Sequence, residues 1–321
     1  MQYRRLGPTD MEVSVVGLGC WPIAGMTSPG TTDSDSLATI RACFDLGINH
    51  LDTAHAYGRA GQSESLIARA VAGRREEILM ATKVGLYWDD QGNLLRDGSP
   101  EALRRHCHES LRRLGVDQVD LLYLHAPDEQ VPVAESAGGL RRLMEEGKAR
   151  SVGVSNFTVD ELEAFASECP VAACQMLYNM LQRDIEAEVL PWCREHNVAV
   201  LAYEPLAKGL LAGKYGPDHV FAESDWRRQS PLFQGEAWQR NIELVDRLRP
   251  IAAAAGQSMA GLAVNWTIRQ PGITAALCGA KRPDQIRETA RAAGWQLTES
   301  EQAAVGGALA QYETAGRNDR D

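Results

Sequence analysis

The chain has 321 residues, 24% of them charged and 44% hydrophobic, which supplies a large buried core and excludes collagen-like, fibrous and disordered architectures. Its 33 basic and 43 acidic side chains give a formal charge of −10, and no Lys/Arg cluster is long enough to track a phosphate backbone, which excludes nucleic acid as a general partner. No stretch approaches the ~18 apolar residues of a membrane span, and no apolar run follows the basic pair Arg4-Arg5, so a cytoplasmic chain without a membrane partner is expected.

In chain order the apolar runs are Val15–Gly19, Ile48–Leu51, Ile78–Thr82, Val119–Leu124, Ser151–Val154, Ala172–Met176, Val198–Ala202 and Ile273–Leu277. Between them, apolar residues recur at three and four over Asp33–Leu46, Ser99–Leu114, Val133–Glu146, Val159–Ser167, Ile185–His196 and Ser258–Arg269. Strands alternating with helices of this length predict parallel βαβ units. Eight units without a linker favour one (β/α)8 TIM barrel over residues 1–321 rather than two domains. A doubly wound dinucleotide fold would need G-x-G-x-x-G opening a helix. Here Gly17-Leu18-Gly19 is followed by Cys20-Trp21-Pro22, and Pro22 argues against a helix there. Asp33 and Ser99 stand where helix caps belong, with Pro100 at a first helical position, and Gly47, Gly115 and Gly147 stand where helices should stop.

One segment breaks the rhythm. Leu206 to about Gln234 carries Gly209, Gly213, Gly216, Pro217 and Pro231, a long loop after the seventh strand that would lie over the barrel mouth as a lid. The polar tail from about Thr314 is expected to be flexible. The seven cysteines (Cys20, Cys43, Cys107, Cys169, Cys174, Cys193, Cys278) are odd in number and lack a Cys-x-x-Cys pair, so they are expected to be buried small hydrophobes rather than disulfides or a metal site.

In a barrel of this kind the carboxyl ends of the strands converge on one face. Asp52 ends one run with Tyr57 five residues on, Lys83 ends the next, and His125 ends the one after, which together make an acid–base site. A free phenol ionises near ~10. A neighbouring ammonium favours the phenolate, and a carboxylate orients that ammonium. Tyr57 is then the acid, Lys83 its tuner, Asp52 the partner of Lys83, and His125 the hydrogen-bond donor to the reacting oxygen.

Asp52 and Tyr57 lie in the first of several segments that resemble the aldo-keto reductase superfamily, a resemblance that runs from about Leu6 through Ala290. The segments are Asp52-Thr53-Ala54-His55-Ala56-Tyr57-Gly58, Gly153-Val154-Ser155-Asn156-Phe157, Gln175 with Tyr178-Asn179, Ala202 to Leu211 followed by Gly213-Lys214-Tyr215, and Gly279 to Gln285. The resemblance implies a barrel with an N-terminal β-hairpin and an extra C-terminal helix. It also implies NADP(H), with NAD(H) as the lesser option, bound across the barrel mouth. Ser155, Asn156 and Gln175 would hold the carboxamide and Tyr203 would stack on the nicotinamide. Pro205, Leu206, Lys208, Gly209 and Leu210 would line the pyrophosphate. Gly279, Ala280, Lys281, Arg282, Gln285, Glu288 and Thr289 would hold the adenosine end, with Lys281 and Arg282 on a 2′-phosphate. Three positions depart from the pattern: Glu204 for Ser, Cys278 for Pro, and Thr289 for Asn.

The implied reaction is hydride transfer between nicotinamide and a small aldehyde, ketone or alcohol, with Tyr57 as general acid and base. Trp21, Tyr57, Trp88 and His125 would contact substrate, with Trp226 as a further aromatic near the mouth. The alternatives are an NAD-dependent sugar or polyol dehydrogenase of the same superfamily and a nucleotide-sensing binding subunit like the potassium-channel β-subunit branch. His106-Cys107-His108 has a metal-like look, but residues two apart on a helix do not share a face, so a solvated or half-buried helix face is expected there.

Overall fold

The computed structural model describes residues 1–25, 31–223 and 225–318. Strands β1 (Tyr3–Arg5) and β2 (Glu12–Ser14) pair as an antiparallel hairpin. The chain then alternates through β3 (Val16–Gly19), α1 (Asp33–Asp45), β4 (His50–Asp52), α2 (Gln62–Val71) and β5 (Leu79–Val84). A second small hairpin, β6 (Leu86–Trp88) and β7 (Leu94–Arg96), precedes α3 (Pro100–Leu114). There follow β8 (Val119–Leu124), α4 (Val133–Glu145), β9 (Ala149–Ser155), α5 (Val159–Ala166), β10 (Ala173–Leu177), α6 (Val189–Glu195) and β11 (Ala199–Tyr203). Last come α7 (Gly235–Ala254), α8 (Met259–Arg269), β12 (Ile273–Gly279), α9 (Pro283–Ala290) and α10 (Glu299–Asn318).

The strands close in the order β10-β11-β12-β3-β4-β5-β8-β9 with every pairing parallel, a (β/α)8 TIM barrel. Each strand corresponds to one of the eight apolar runs. Leu6, Met11 and Val13 of the N-terminal hairpin pack with the interior residues Leu79, Leu121, Ala173, Ala199 and Ala275, so this hairpin plugs the amino end of the barrel. The other end is left for the site.

Local signals explain the helix ends. Ser99 Oγ accepts from the Ala102 N–H with Pro100 at the first position, and α3 stops at Gly115, whose φ of 68° suits a residue without a Cβ. The cap of α1 is Thr32, one residue before the expected Asp33, because its hydroxyl accepts from the Asp35 N–H. Helices α2, α7 and α9 and the β6–β7 hairpin were not anticipated. Helix α2 starts after Gly61 without a side-chain cap, α7 carries Pro250 internally, and the hairpin strands have three residues each. The C-terminal helix runs through Asn318. The segment after β11 is folded into short 3-10 turns at Ala207–Ala212, Trp226–Gln229 and Pro231–Phe233. All seven cysteines are buried and free.

The interior is crowded where it matters. A Cβ on Gly153 would stand 2.6 Å from the Tyr123 ring and 2.7 Å from the Ala173 carbonyl oxygen, so only glycine admits the Tyr123 side chain across the barrel. His50 lies beside Gly17 in the same interior, fully buried, with neither ring nitrogen hydrogen-bonded. Burial lowers its pKa from 6.5 to about 4. The folded state therefore binds fewer protons than the unfolded chain below 6.5, and the stability present above that value is lost as pH falls toward about 4. His50→Leu is expected to flatten this acid-side loss, read as the denaturant midpoint across that pH range.

Candidate active site

Strand alternation selects the site. On β5, Leu79 and Ala81 face the interior cluster, and Lys83 continues that face at the strand's carboxyl end. The same parity turns Asp52 inward after His50, His125 after Leu121 and Tyr123, Gln175 after Ala173, and Tyr203 after Ala199 and Leu201. Residues far apart in sequence thus meet at one mouth.

Lys83 Nζ donates to Asp52 Oδ1 at 2.5 Å, to the Thr53 carbonyl oxygen at 3.0 Å and to Tyr57 Oη at 3.0 Å. An ammonium has three protons, and each has an acceptor here. Because Tyr57 Oη accepts from Lys83, its own O–H remains for donation elsewhere. Gln175 Nε2 donates to Asp52 Oδ2 at 2.8 Å, so both carboxylate oxygens are held. The Tyr57 ring meets Trp21 edge-on at 5.0 Å and His125 at 5.7 Å. The four expected acid–base residues are therefore gathered at one point.

Their ionisation differs in one respect from the sequence expectation. Burial raises the Tyr57 phenol above its ordinary value and outweighs the opposing pull of Lys83, so the group is held as neutral acid. Burial works against the Lys83 ammonium, yet Asp52 and Tyr57 together keep its pKa above the lysine value. Burial, with Lys83 adding to it, pushes His125 well below 6.5, so its imidazole is neutral.

Above these groups lies a cavity of about 520 Å³. Asp52, Tyr57, His125, Ser155, Asn156, Gln175, Tyr203, Pro205, Leu206, Lys208 and Gly209 line it, and so do Gly279, Lys281, Gln285, Glu288, Thr289 and Trp21. Tyr203 Oη donates to Asn156 Oδ1 at 2.7 Å, and Asn156 Nδ2 donates to Ser155 Oγ at 3.0 Å, which fixes three expected carboxamide-side groups relative to one another. Gln175 gives one amide N–H to Asp52, which leaves its second N–H and its carbonyl oxygen.

Four expected contacts do not line the cavity. Leu210 and Ala280 are buried in the hydrophobic core, and Arg282 is exposed, its Nε 3.2 Å from Asp284 Oδ1. Trp88 turns its indole N–H to the Ala56 carbonyl oxygen at 2.8 Å, and Leu86 and Leu94 of the β6–β7 hairpin supply the wall instead. Thr289 lines the cavity, but its hydroxyl bonds within its own helix to Gln285 and Ile286 carbonyls. Glu204 also lines it, its carboxyl raised by burial with Lys208 opposing. Lys208 Nζ donates to Ser230 rather than to Glu204.

Residues not singled out as contacts add charge. Lys214, Tyr215 and Arg227 line the cavity, with Trp226 beside them. Arg227 is clamped by Asp225 and Tyr215, and Lys208 Nζ lies 5.0 Å from the Trp226 ring centroid. Lys214 and Tyr215 fell within a segment whose resemblance was recognised. Nothing in the spacing fixed how the loop folds back.

The Aldo/keto reductase family model matches residues 15–309. The chain is similar to the aldo-keto reductase YhdN of Bacillus subtilis, 36% identical over 94% of this chain and 92% of the relative. It is similar to the NADH-specific methylglyoxal reductase of Escherichia coli, 32% identical over 92% of this chain and 94% of that one. Among solved structures it resembles a glycerol dehydrogenase from Gluconobacter oxydans at 37% identity, covering 97% and 95% of the two chains with a TM-score of 0.90. The chain belongs to the aldo/keto reductase family and is an NAD(P)-dependent oxidoreductase acting on carbonyl or alcohol groups.

Proposed function

We propose that the protein reduces a small aldehyde or ketone with NADPH, and catalyses the reverse alcohol oxidation, with Tyr57 as general acid and base. The observation that carries this reading is the bonded series Asp52–Lys83–Tyr57 at the foot of a cavity that His125 also lines. When bound, the cofactor supplies or accepts the hydride. The cavity fits such a group: Lys208, Lys214, Arg227 and Lys281 give it cationic character, and Tyr203 offers an aromatic face beside Asn156.

The neutral phenol gives its proton to the carbonyl oxygen as charge develops there. Lys83 then holds the phenolate at 3.0 Å, and Asp52 keeps that ammonium charged in a dry setting. Neutral His125 donates an N–H to the same oxygen and fixes its place. Trp21, Pro22, Ala56, Leu86 and Leu94 make the substrate side apolar, which favours a carbonyl carrying a hydrocarbon substituent over a polyol. Lys281, with the Arg227 charge close to it at the mouth, supports a phosphorylated cofactor.

A second reading, an NAD-linked sugar or polyol dehydrogenase, is favoured by one observation: Arg282 is engaged by Asp284 and stands off the cavity. The related proteins named as an NADH-specific reductase and a glycerol dehydrogenase are consistent with it. A nucleotide-sensing role without turnover is the third, and a stable membrane partner with negligible turnover is what would reveal it.

Tyr57→Phe is expected to lower kcat by about 10²–10⁴-fold toward a panel of aldehydes and ketones while NADPH binding persists. No turnover by the parent with any carbonyl or alcohol would overturn the enzymatic reading. Lys83→Met leaves Asp52 buried without its cation and is expected to cost about 3–5 kcal/mol in denaturant unfolding, along with most activity. Lys281→Ala is expected to weaken NADPH binding about tenfold or more and leave NADH binding nearly unchanged, read by quenching of tryptophan fluorescence. A parental preference for NADH would overturn the NADPH assignment.

A further inference from the structure

General acid catalysis requires the phenol to sit within a fraction of an ångström of its working position. Tyr57 is not on a strand. It lies in the loop between β4 and α2, so something other than the barrel must fix it.

That loop is tied at successive backbone groups. The Thr53 N–H donates to the Ala81 carbonyl oxygen and the His55 N–H to that of Lys83, each at 2.9 Å. Arg113 of α3 donates to the His55 carbonyl oxygen at 3.3 Å, and Trp88 Nε1–H donates to that of Ala56 at 2.8 Å. The last two bonds hold the two peptide carbonyls immediately before Tyr57. Beneath them, the His55 ring is held at Nε2 by Glu109 Oε2 at 2.8 Å and reaches the Leu86 carbonyl oxygen with Nδ1 at 3.2 Å. The same ring stacks on His106 at 4.4 Å. His106 is buried rather than solvated, and its Nδ1 accepts from the Gly85 N–H at 3.4 Å. Of the His-Cys-His run of α3, His106 thus supplies the stacking partner of His55.

We infer that Trp88 and His55 are positioning residues for Tyr57, clamping its loop to the β6–β7 hairpin so that the proton donor and the substrate wall form one rigid unit. The hairpin's Leu86 and Leu94 side chains line the cavity, while its Trp88 indole and Leu86 carbonyl grip the Tyr57 loop from behind. A substrate pressing on the wall therefore presses on the acid. The inference rests on the reading of Tyr57 as proton donor.

The test is Trp88→Phe, which keeps an aromatic ring and deletes the N–H. The expected result is a fall in kcat of about 10- to 100-fold, with the carbonyl KM and the NADPH Kd nearly unchanged. A second readout is Tyr57 ionisation, isolated as the tyrosinate absorbance lost in Tyr57→Phe. Asp52, Lys83, His125, Cys20 and Tyr203 face that phenol, and burial dominates its raised value. A loosened ring gains water, so its transition is expected to move down toward the ordinary tyrosine value. His55→Phe keeps the stack on His106 and deletes both imidazole hydrogen bonds, so it should act in the same direction, with partial recovery in His55→Gln. If Trp88→Phe does not fold, His55→Phe decides. Parental kcat and an unmoved Tyr57 transition would overturn the inference, as would a loss carried wholly by KM, which would return Trp88 to the substrate wall. Should the parent turn over no carbonyl, the functional reading fails while the Tyr57 titration still decides the positioning role.

Discussion

The buried ion pair between Lys83 and Asp52 is the constraint on which the site turns. Withdrawing two such charges from water costs several kcal/mol each, and only close contact with full hydrogen bonding offsets it. Here the three ammonium protons go to Asp52, Thr53 and Tyr57, and the second carboxylate oxygen takes the Gln175 amide. Strands β4, β5 and β10 must therefore hold their places in the closed barrel for the pair to be satisfied. The chemistry and the register of the sheet share a single set of bonds. The direction of the phenol proton follows as well, since an oxygen that accepts from Lys83 must donate elsewhere.

Much of this was legible in the sequence because it depends on period and position. A polar residue at the end of an apolar run with strand alternation must face the barrel mouth, which is how Asp52, Lys83 and His125 could be named. The balance of forces on Tyr57 was not legible. A nearby ammonium argues for a lowered pKa, and only the packing of Trp21 and the surrounding core shows that burial prevails. Trp88 was misplaced for a similar reason: an aromatic just past a strand end reads as wall until the hairpin turns its indole toward Ala56. Arg282 sits beside Lys281 in sequence, but the extended backbone that caps α9 carries its side chain outward to Asp284.

Charge shows the same split between global and local. The chain carries −10 overall, yet four cationic side chains ring the cavity. Asp225 engages Arg227 there, and Asp284 holds Arg282 off the cavity, which leaves lysines as the flexible counter-charges of the mouth. Lysine is a mobile point charge rather than a fixed fork, so such a mouth tolerates variation in what it grips better than a bidentate arginine site would.

The segment after β11 bends through left-handed backbone at three residues that are not glycine: Glu204 at φ 52°, Ala207 at φ 46° and Lys208 at φ 59°. Conformations of this kind cost of order 1–3 kcal/mol each and persist only where surrounding contacts over-determine them. The turn that carries Lys208 to the cavity is thus a loaded spring held by the barrel. Glycine at Ala207 would relax it and steady the resting fold, but a slackened turn would present Lys208 less sharply. In this short stretch the backbone that costs the resting fold is the same backbone that aims Lys208.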